Sequence, residues 1–259
     1  MCGCLCTNEK SVVVKENKRE NKEDENKGKE NNEPEKLEFK EEKYKKTFKL
    51  EEKNGINISN KEIEIEIIHV NTIDSTMPAS RAYIDEGAKL PFIYNTDIQT
   101  EGVGKGGRKW TSSILGNVYT STCIPVNMIK NELNDNDILV KITAISIYEQ
   151  IIKYSKNEFF LKYPNDIICK DKKKLGGILV QFYKDFVNIG FGINIVDKPE
   201  QVRRGGLLPC CIKEHLPEGI ETPNPLELSI EITKNIFFNL NLTSEEVLKL
   251  FESYINKNN

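Results

Sequence analysis

The chain has 259 residues, of which 38% are hydrophobic and 30% are charged. Its 37 basic and 40 acidic side chains give a net charge of −3, and this balance argues against nucleic acid as the main partner. No apolar run of 18 or more residues occurs and no signal-peptide core follows the first residue, so a soluble cytoplasmic protein is expected.

The first 61 residues are predicted to be a disordered, low-complexity tail. Large apolar side chains are rare among the Lys, Glu and Asn residues between positions 15 and 55. Such a segment cannot bury enough surface to offset the entropy lost on ordering. A short helix over residues 39–50 is the alternative for its more apolar end. The folded domain is therefore predicted to span residues 62–259.

The cysteines fall into two groups. Cys2, Cys4 and Cys6 precede the tail, where S-acylation is one hypothesis and would give only weak membrane association. No nearby Cys/His pair completes a metal site with them, and Gly3 does not fit the myristoylation pattern. The remaining cysteines lie in or beside apolar segments, where buried free thiols are expected. They are Cys123, Cys169, Cys210 and Cys211.

Periodicity predicts the first elements of the folded domain. "EIEIEIIHV" alternates with period two, which indicates a strand, and Asp74, Ser75 or Thr76 can cap a helix over the residues that follow. "LPFIYNTDI" and "NVYTSTCIPV" are typical of strands. "DILVKITAISIYEQII" has a helical apolar stripe, with Asp135 or Asp137 at its start.

Three strands and two helices are predicted for the remainder. The strands are "FFLKY", "GGILVQFY" and "FVNIGFGINI", with Asp171 in a hairpin turn between the first two. The last helix begins with a capping box, Thr243-Ser-Glu-Glu. This order predicts an α+β domain with a mixed, largely antiparallel sheet flanked by helices.

The stretch "TDIQTEGVGKGGRKW" combines four glycines with basic residues. Gly102, Gly104 and Gly107 satisfy G-x-G-x-x-G, but a strand follows them instead of the helix that a dinucleotide site needs. The Walker pattern is also absent. The backbone N–H groups and positive charges favour an anion site, above all for phosphate. Trp110 provides either a surface for a planar base or a core side chain.

Two further segments carry candidate site residues. In "LKYPNDIICKDKKKLGG", Lys162 lies in an apolar strand, where a lysine is costly to bury unless it meets an anion, whereas lysines 172 to 174 are expected at the surface. Asn165 and Asp166 can form a turn or bind a metal. In "GFGINI" the glycines allow a ligand to approach the backbone, and Asn194 can contact a base edge.

Together these segments resemble one family. "DST" (74–76), "QTEGVGKGGRKW" (99–110), "KYPNDI" (162–167), "KLGGILV" (174–180) and "GFGINI" (190–195) follow the order and spacing of the biotin protein ligases, or holocarboxylase synthetases. The resemblance extends over residues 63 to 255. It implies a class II synthetase-like catalytic domain that forms biotinyl-5′-AMP from biotin and ATP, with Mg²⁺. It also implies transfer of biotin to a lysine of a biotin carboxyl carrier domain.

The resemblance assigns roles residue by residue. Lys162 and Arg108 are the implied catalytic residues, which contact phosphoryl and carboxyl oxygens. Trp110 would stack on adenine and Asn194 would hydrogen-bond it. Asn165 and Asp166 are the metal candidates. The implied biotin- and nucleotide-binding residues are Ser75, Thr76, Gln99, Gly102, Gly104, Lys105, Trp110, Gly177, Gly190, Gly192 and Asn194.

The sequence also departs from the family. Val103, Lys105 and Gly106 stand where bacterial members usually have arginines, and a lysine is a point charge where an arginine offers a planar fork. No helix-turn-helix is expected before the catalytic domain, and the small β-barrel that usually follows it is expected to be absent. His69 and His215 have no identifiable triad partner and are predicted to be structural.

Two other functions stay open at the level of sequence. A lipoate–protein ligase shares this fold and adenylate chemistry. A weakly catalytic adaptor that binds carrier domains is the alternative from a different functional class. The oligomeric state and the acceptor protein are not determined by any of these motifs.

Overall fold

The computed structural model describes residues 10–13, 40–50, 61–200 and 206–255. They contain nine strands: β1 (Lys10–Val13), β2 (Glu41–Leu50), β3 (Lys61–Ile73), β4 (Phe92–Gln99), β5 (Val118–Pro125), β6 (Phe159–Lys162), β7 (Asp166–Cys169), β8 (Lys174–Tyr183) and β9 (Phe186–Ile193). The strands form one sheet in the order β1-β2-β3-β4-β5-β9-β8-β7-β6. Only β3 and β4 pair in parallel; the other neighbours are antiparallel. The predicted fold class is therefore confirmed.

Four helices cover the two faces of this sheet: α1 (Thr76–Asp85), α2 (Asn136–Ile151), α3 (Pro225–Asn239) and α4 (Ser244–Ile255). Helices α2, α3 and α4 share the main core with Ile65 and Ile67 of β3, whereas α1 shares a smaller core with Ile68 and Val70. Because successive strand residues point to opposite faces, α1 lies on the face opposite the other three helices. Helix α1 is also the crossover between the parallel strands β3 and β4.

The predicted capping residues are present. The Asp135 carboxylate accepts hydrogen bonds from the backbone N–H groups of Asp137 and Ile138 at the start of α2. At α4, the Thr243 hydroxyl accepts from the Glu246 N–H, and the Glu246 carboxylate accepts from the Thr243 N–H. Each side chain satisfies backbone donors that a helix start leaves unpaired.

The main correction concerns residues 41–50. Composition placed them in a disordered tail with a short helix as the alternative, but they form β2, a full neighbour of β3. Phe48 and Leu50 are buried, and the Phe48 ring packs edge-on against Phe237 of α3. The alternation of these apolar side chains with charged ones matches period two and decides the strand. Cys2, Cys4, Cys6 and most of the predicted tail lie outside the described residues.

A second difference lies after β6. The segment "NDIICKDKKK" contains a strand of its own, β7, and the predicted hairpin turn at Asp171 joins β7 to β8. The four cysteines predicted to be buried free thiols are buried and free. Across the described ranges no helix is both long enough and apolar enough to cross a lipid bilayer.

Candidate active site

The largest concentration of predicted site residues surrounds one cavity on the α1 face of the sheet. Its walls are the start of α1, the loop after β4, and the central strands β8 and β9. The cavity is lined by Ser75, Thr76, Met77, Gln99, Val103, Gly104, Lys105, Arg108, Lys109, Trp110, Tyr119, Thr120, Asn165, Asp166, Lys174, Gly177, Ile178, Leu179, Gly190, Phe191 and Gly192.

The glycine-rich loop forms a hairpin. Backbone hydrogen bonds join Gln99 to Ser112, Gly102 to Trp110, and Gly104 to Arg108. At its tip, Gly106 and Gly107 have φ angles of 67° and 71°, a conformation that glycine adopts without steric cost. The hairpin therefore presents the cationic residues 105, 108 and 109 to the cavity.

The hairpin ends at Trp110, which packs against two glycines of the sheet, Gly177 and Gly192. A Cβ atom on Gly192 would lie 2.5 Å from Trp110 Nε1, and one on Gly177 would lie 3.2 Å from Trp110 Cζ3. The glycines thus make room for the indole, which lines the cavity and is only partly buried. Of the two interpretations of Trp110, this geometry contradicts the core side chain and leaves the ring available to a ligand.

Two other glycines of the predicted site pack against protein, and the predicted role of Gly102 needs correction. A Cβ on Gly190 would lie 2.6 Å from Met77 Sδ, and one on Gly102 would lie 2.4 Å from both Ser112 Oγ and the Trp110 carbonyl. The space beside both residues is therefore filled by protein. Gly190 still borders the cavity, but Gly102 does not line it and instead lets the two arms of the hairpin approach closely.

The polar end of the cavity lies at the start of α1. The Gln99 side chain accepts from the Thr76 N–H at 2.8 Å and donates to Ser112 Oγ at 3.0 Å, while Ser121 donates to Thr76 Oγ1 at 2.8 Å. Ser75 occupies the capping position of α1 but makes no side-chain capping bond. Its Oγ and Trp110 Nε1 are both buried without a hydrogen-bond partner among the described residues.

Unpaired polar atoms of this kind are costly in a folded protein, by about 1–3 kcal/mol each. They are explained when a ligand completes their hydrogen bonds. Both atoms belong to residues that line the same cavity, which makes this cavity the candidate ligand site among the described residues.

The other end of the cavity is cationic. Lys105, Arg108, Lys109 and Lys174 line it, and Asp166 is the one carboxylate on its walls within the described residues. The sequence placed Lys174 at the surface, and this was wrong. Its ammonium lies 2.6 Å from the Asp166 carboxylate and 5.3 Å from the centre of the Trp110 ring, with 28% of the side chain exposed. An excess of positive charge of this size suits a phosphate group.

Lys162 lies beside the cavity. Cross-strand pairing links it to Asp166, Asp166 to Gly177, and Gly177 to Gly192. Directly opposed residues of an antiparallel pair share one face of the sheet, so Lys162 shares the cavity's face. It is exposed at the end of β6 and does not itself line the cavity.

Asn194 differs from the expectation. Its amide is buried and donates to the Cys210 carbonyl oxygen at 2.9 Å, and it does not line the cavity. Asn165 lines the cavity, with its amide donating to the Ile178 carbonyl oxygen at 3.0 Å. The predicted contact between Asn194 and adenine is therefore not preformed.

Several cavity residues were not among the predicted site residues, notably Lys174, Met77 and Tyr119. Each faces the cavity because of its place in the sheet or helix. Tyr119, for example, is the register partner of Gly192. Register is set by tertiary pairing, which local sequence patterns do not report.

Neither histidine lines the cavity. His69 Nδ1 contacts Asn95 at 2.7 Å and its Nε2 lies 3.5 Å from Asp97, whereas His215 Nδ1 contacts Glu158 at 3.0 Å. The cavity also has no cysteine on its walls within the described residues.

Comparisons with known proteins agree with this geometry. The model of the Biotin/lipoate A/B protein ligase family matches residues 72–196. A biotin–[acetyl-CoA-carboxylase] ligase of Mycobacterium tuberculosis is 28% identical over 107 residues, which is 40% of this chain and 39% of that protein. The chain thus matches less than half of that relative's length.

Solved structures extend the likeness to most of the fold. The biotin protein ligase of Leishmania major, in complex with biotinyl-5-AMP, has a TM-score of 0.65 and 26% identity, with 74% of this chain and 81% of that chain covered. The biotin protein ligase of Aquifex aeolicus, in complex with biotin and ATP, has a TM-score of 0.57 and 26% identity, with 74% and 76% covered. Residues 72–196 therefore match the biotin/lipoate A/B protein ligase family, and the described chain has the fold of the biotin protein ligases.

Proposed function

We propose that the protein is an ATP-dependent biotin protein ligase. It would form biotinyl-5′-AMP from biotin and ATP and transfer biotin to a lysine of a biotin carboxyl carrier domain. The observation that carries this proposal is the two-ended cavity, in which an unpartnered Ser75 hydroxyl lies at the polar end and four cations lie at the other. A ligand with a neutral polar ring at one end and an acyl phosphate at the other matches both.

The polar end suits the ureido ring of biotin. The Ser75 hydroxyl has no internal partner, so it is free to bond a ring carbonyl or N–H. Gln99 is held at both ends of its amide, by the Thr76 N–H and by Ser112. In this proposal Ser75 contacts the ring, while Thr76 and Gln99 fix the shape of the pocket.

The cationic end suits adenylate formation. A carboxylate oxygen of biotin attacks the α-phosphorus of ATP, the bond to the bridging oxygen breaks, and pyrophosphate leaves with the electron pair. Negative charge spreads over the phosphoryl oxygens, so catalysis needs fixed positive charge more than a nucleophile. Arg108 and Lys162 are the proposed catalytic residues, and Lys105 and Lys174 add to the field.

The second step uses the mixed anhydride. A neutral lysine amine of the carrier attacks the acyl carbon, the bond from that carbon to the phosphate oxygen breaks, AMP leaves with the electron pair, and the nitrogen releases one proton to solvent. The cations that stabilised adenylate formation also stabilise AMP as the leaving group. Trp110 is proposed to stack on adenine, and Asn194 would contact it after releasing the Cys210 carbonyl.

A magnesium ion fits the same end of the cavity. Proteins hold Mg²⁺ with one or two carboxylates while substrate phosphates supply other ligands. Asp166 provides such a carboxylate beside Asn165, and Lys174 is its present partner. These two residues are the proposed ligands, and the ion would neutralise charge on the phosphate oxygens of bound ATP.

The test is a reconstituted reaction. Full-length protein, ATP, Mg²⁺, biotin and a carrier domain should give biotin on the carrier, and biotin should stimulate ATP–pyrophosphate exchange. Stimulation by lipoate but not biotin would overturn the choice of substrate. The absence of exchange with either acid would overturn the ligase function.

Two variants test the proposed catalytic residues. Lys162→Ala and Arg108→Ala should each lower the rate at least about tenfold, since each removes on the order of 1.4 kcal/mol or more of transition-state stabilisation. Lys172→Ala is the matched control, because Lys172 is exposed in the turn after β7. Wild-type rates in both test variants would contradict the assignment.

A further inference from the structure

A second cluster of chemically competent side chains lies outside the cavity. Cys169 ends β7, Cys210 lies in the segment that runs beside β8, and His215 ends a short 3-10 helix, Ile212–His215. Their ligand atoms all lie within 4.8 Å of one another. Both cysteines are fully buried, and 7% of the histidine side chain is exposed. None of the three lines the cavity described above.

The donor set and its spacing suit a borderline-soft cation. Two thiolates and an imidazole are typical zinc ligands, with Zn–S near 2.3 Å and Zn–N near 2.0–2.1 Å. A tetrahedron of these bond lengths requires ligand atoms about 3.4–3.8 Å apart. The observed limit of 4.8 Å is about 1 Å longer, so small side-chain rotations would close the site.

A second observation concerns the orientation of the histidine. His215 Nδ1 lies 3.0 Å from Glu158 Oε2, and the Glu158 carboxylate is held in turn by Lys170 at 2.8 Å. A carboxylate on one imidazole nitrogen orients the other nitrogen toward a metal, as in carboxylate–histidine–zinc triads. Because Nδ1 is engaged by Glu158, Nε2 is the nitrogen available to the thiols.

We propose that Cys169, Cys210 and His215 bind one zinc ion through two thiolate sulfurs and His215 Nε2, with a water as the fourth ligand. Binding would release the two thiol protons to solvent. The site would fasten the segment that contains Cys210 and His215 to the end of β7. No step of the proposed ligase reaction requires this zinc ion.

The location gives the ion a structural consequence for the cavity. The Cys210 N–H donates to the Lys174 carbonyl oxygen at 2.9 Å, and the Lys174 N–H donates to the Leu208 carbonyl oxygen at 2.6 Å. The Cys210 carbonyl also accepts from the Asn194 amide. A zinc ion at Cys210 would therefore hold the backbone that supports Lys174 and Asn194.

The first experiment measures the metal content of the full-length chain, purified under reducing conditions from zinc-containing medium. We expect about one zinc per chain, with loss of the metal in Cys210→Ala and His215→Ala. Cys123→Ala is the matched control for a buried thiol and should keep the metal. The triple variant Cys2→Ser/Cys4→Ser/Cys6→Ser should keep it as well. Loss of zinc in this triple variant with retention in Cys210→Ala would overturn the assignment.

A second measurement does not depend on whether the variants fold. Wild-type protein stripped with a chelator and titrated with Co²⁺ should show thiolate-to-cobalt charge-transfer absorption and the d–d bands of a tetrahedral site. Absence of both, or no zinc uptake by reduced wild-type protein, would overturn the proposal. A Cys169–Cys210 disulfide in freshly purified protein, seen as a mass two hydrogens lower, would also overturn it. These readouts do not use ligase activity, so they stand if the proposed function fails.

Discussion

The contact between Gly192 and Trp110 gives the sharpest test of the cavity's architecture. Gly192 does not have a positive φ, so alanine can adopt its backbone conformation. The added Cβ, however, would lie 2.5 Å from Trp110 Nε1, 2.6 Å from Cε2 and 2.9 Å from Cζ2. The indole is rigid and would have to move by about 1 Å to restore ordinary van der Waals contact. Gly192→Ala should therefore displace Trp110 without unfolding the sheet.

The magnitude follows from the cost of overpacking. Inserting a methyl group into a packed contact costs about 1–3 kcal/mol. If ATP binds only when the indole holds its present position, this cost becomes a weakening of ATP binding by about 5-fold to 140-fold. Gly177→Ala should cost much less, because its Cβ would lie 3.2 Å from the edge of the indole and 3.3 Å from the mobile end of Lys174.

Two assays measure the effect. The KM for ATP in biotin-dependent pyrophosphate exchange should rise in Gly192→Ala. Since Trp110 is the single tryptophan of the chain, its fluorescence should change independently of activity. In a Trp110→Ala background, Gly192→Ala should become nearly neutral, because the clashing group is gone. An equal cost in both backgrounds, or an unchanged emission spectrum, would refute the reasoning.

Three further predictions address the polar end, a histidine and the hairpin. Ser75→Ala should weaken biotin binding about 2-fold to 13-fold, because it removes one hydrogen bond worth about 0.5–1.5 kcal/mol. The melting temperature should stay equal or rise, because the Ser75 hydroxyl has no internal partner. Calorimetry with biotin and a thermal melt measure the two effects, and a lower melting temperature would contradict the prediction. Burial opposes protonation of His69, but the hydrogen bond and charge of Asp97 outweigh it and raise the His69 pKa. The contribution of protonated His69 to stability is therefore complete below the unfolded pKa of about 6.5 and is lost as the pH rises through the folded pKa. In urea unfolding, His69→Asn should lower the free energy of unfolding more at about pH 5.5 than at about pH 8.5. An equal decrease at both pH values would disprove this. Proteolysis within residues 99–112 should slow when biotin and ATP are present, and an unchanged cleavage rate would exclude ordering of the hairpin by ligand.

Local sequence patterns predicted much of the secondary structure of the folded domain. Period-two alternation identified β3, and helical periodicity with a capping aspartate identified α2. The Thr243 capping box marked the start of α4. These features were predictable because each depends on residues close together in the chain, where backbone geometry sets the repeat.

The motif set also anticipated most of the cavity wall. Ser75, Arg108 and Gly192 came from separate segments and meet at one place. A resemblance in order and spacing can achieve this because members of a family share a fold, whereas each motif alone had a structural alternative.

The prediction from composition, a disordered tail, was wrong for β2. A strand at the margin of a charged, Asn-rich segment is stabilised by what it packs against, and for Phe48 that partner is Phe237, far away in the chain. Average composition over 60 residues has no information about such a partner. The segment pairs with β3 along its length and buries the side chains of Phe48 and Leu50.

The sequence by itself determined most of the elements and their order, the family resemblance and the chemical character of the glycine-rich hairpin, but not β2 or β7. Only the tertiary structure decided that Lys174 turns from an apparent surface position into the cavity, that Asn194 is occupied by the Cys210 carbonyl, and that the two buried thiols converge with His215. The physical reason is the same in each case. Periodicity and capping are local, but the partner of a charged or polar side chain is chosen by strand register and by segments that meet only in the folded state.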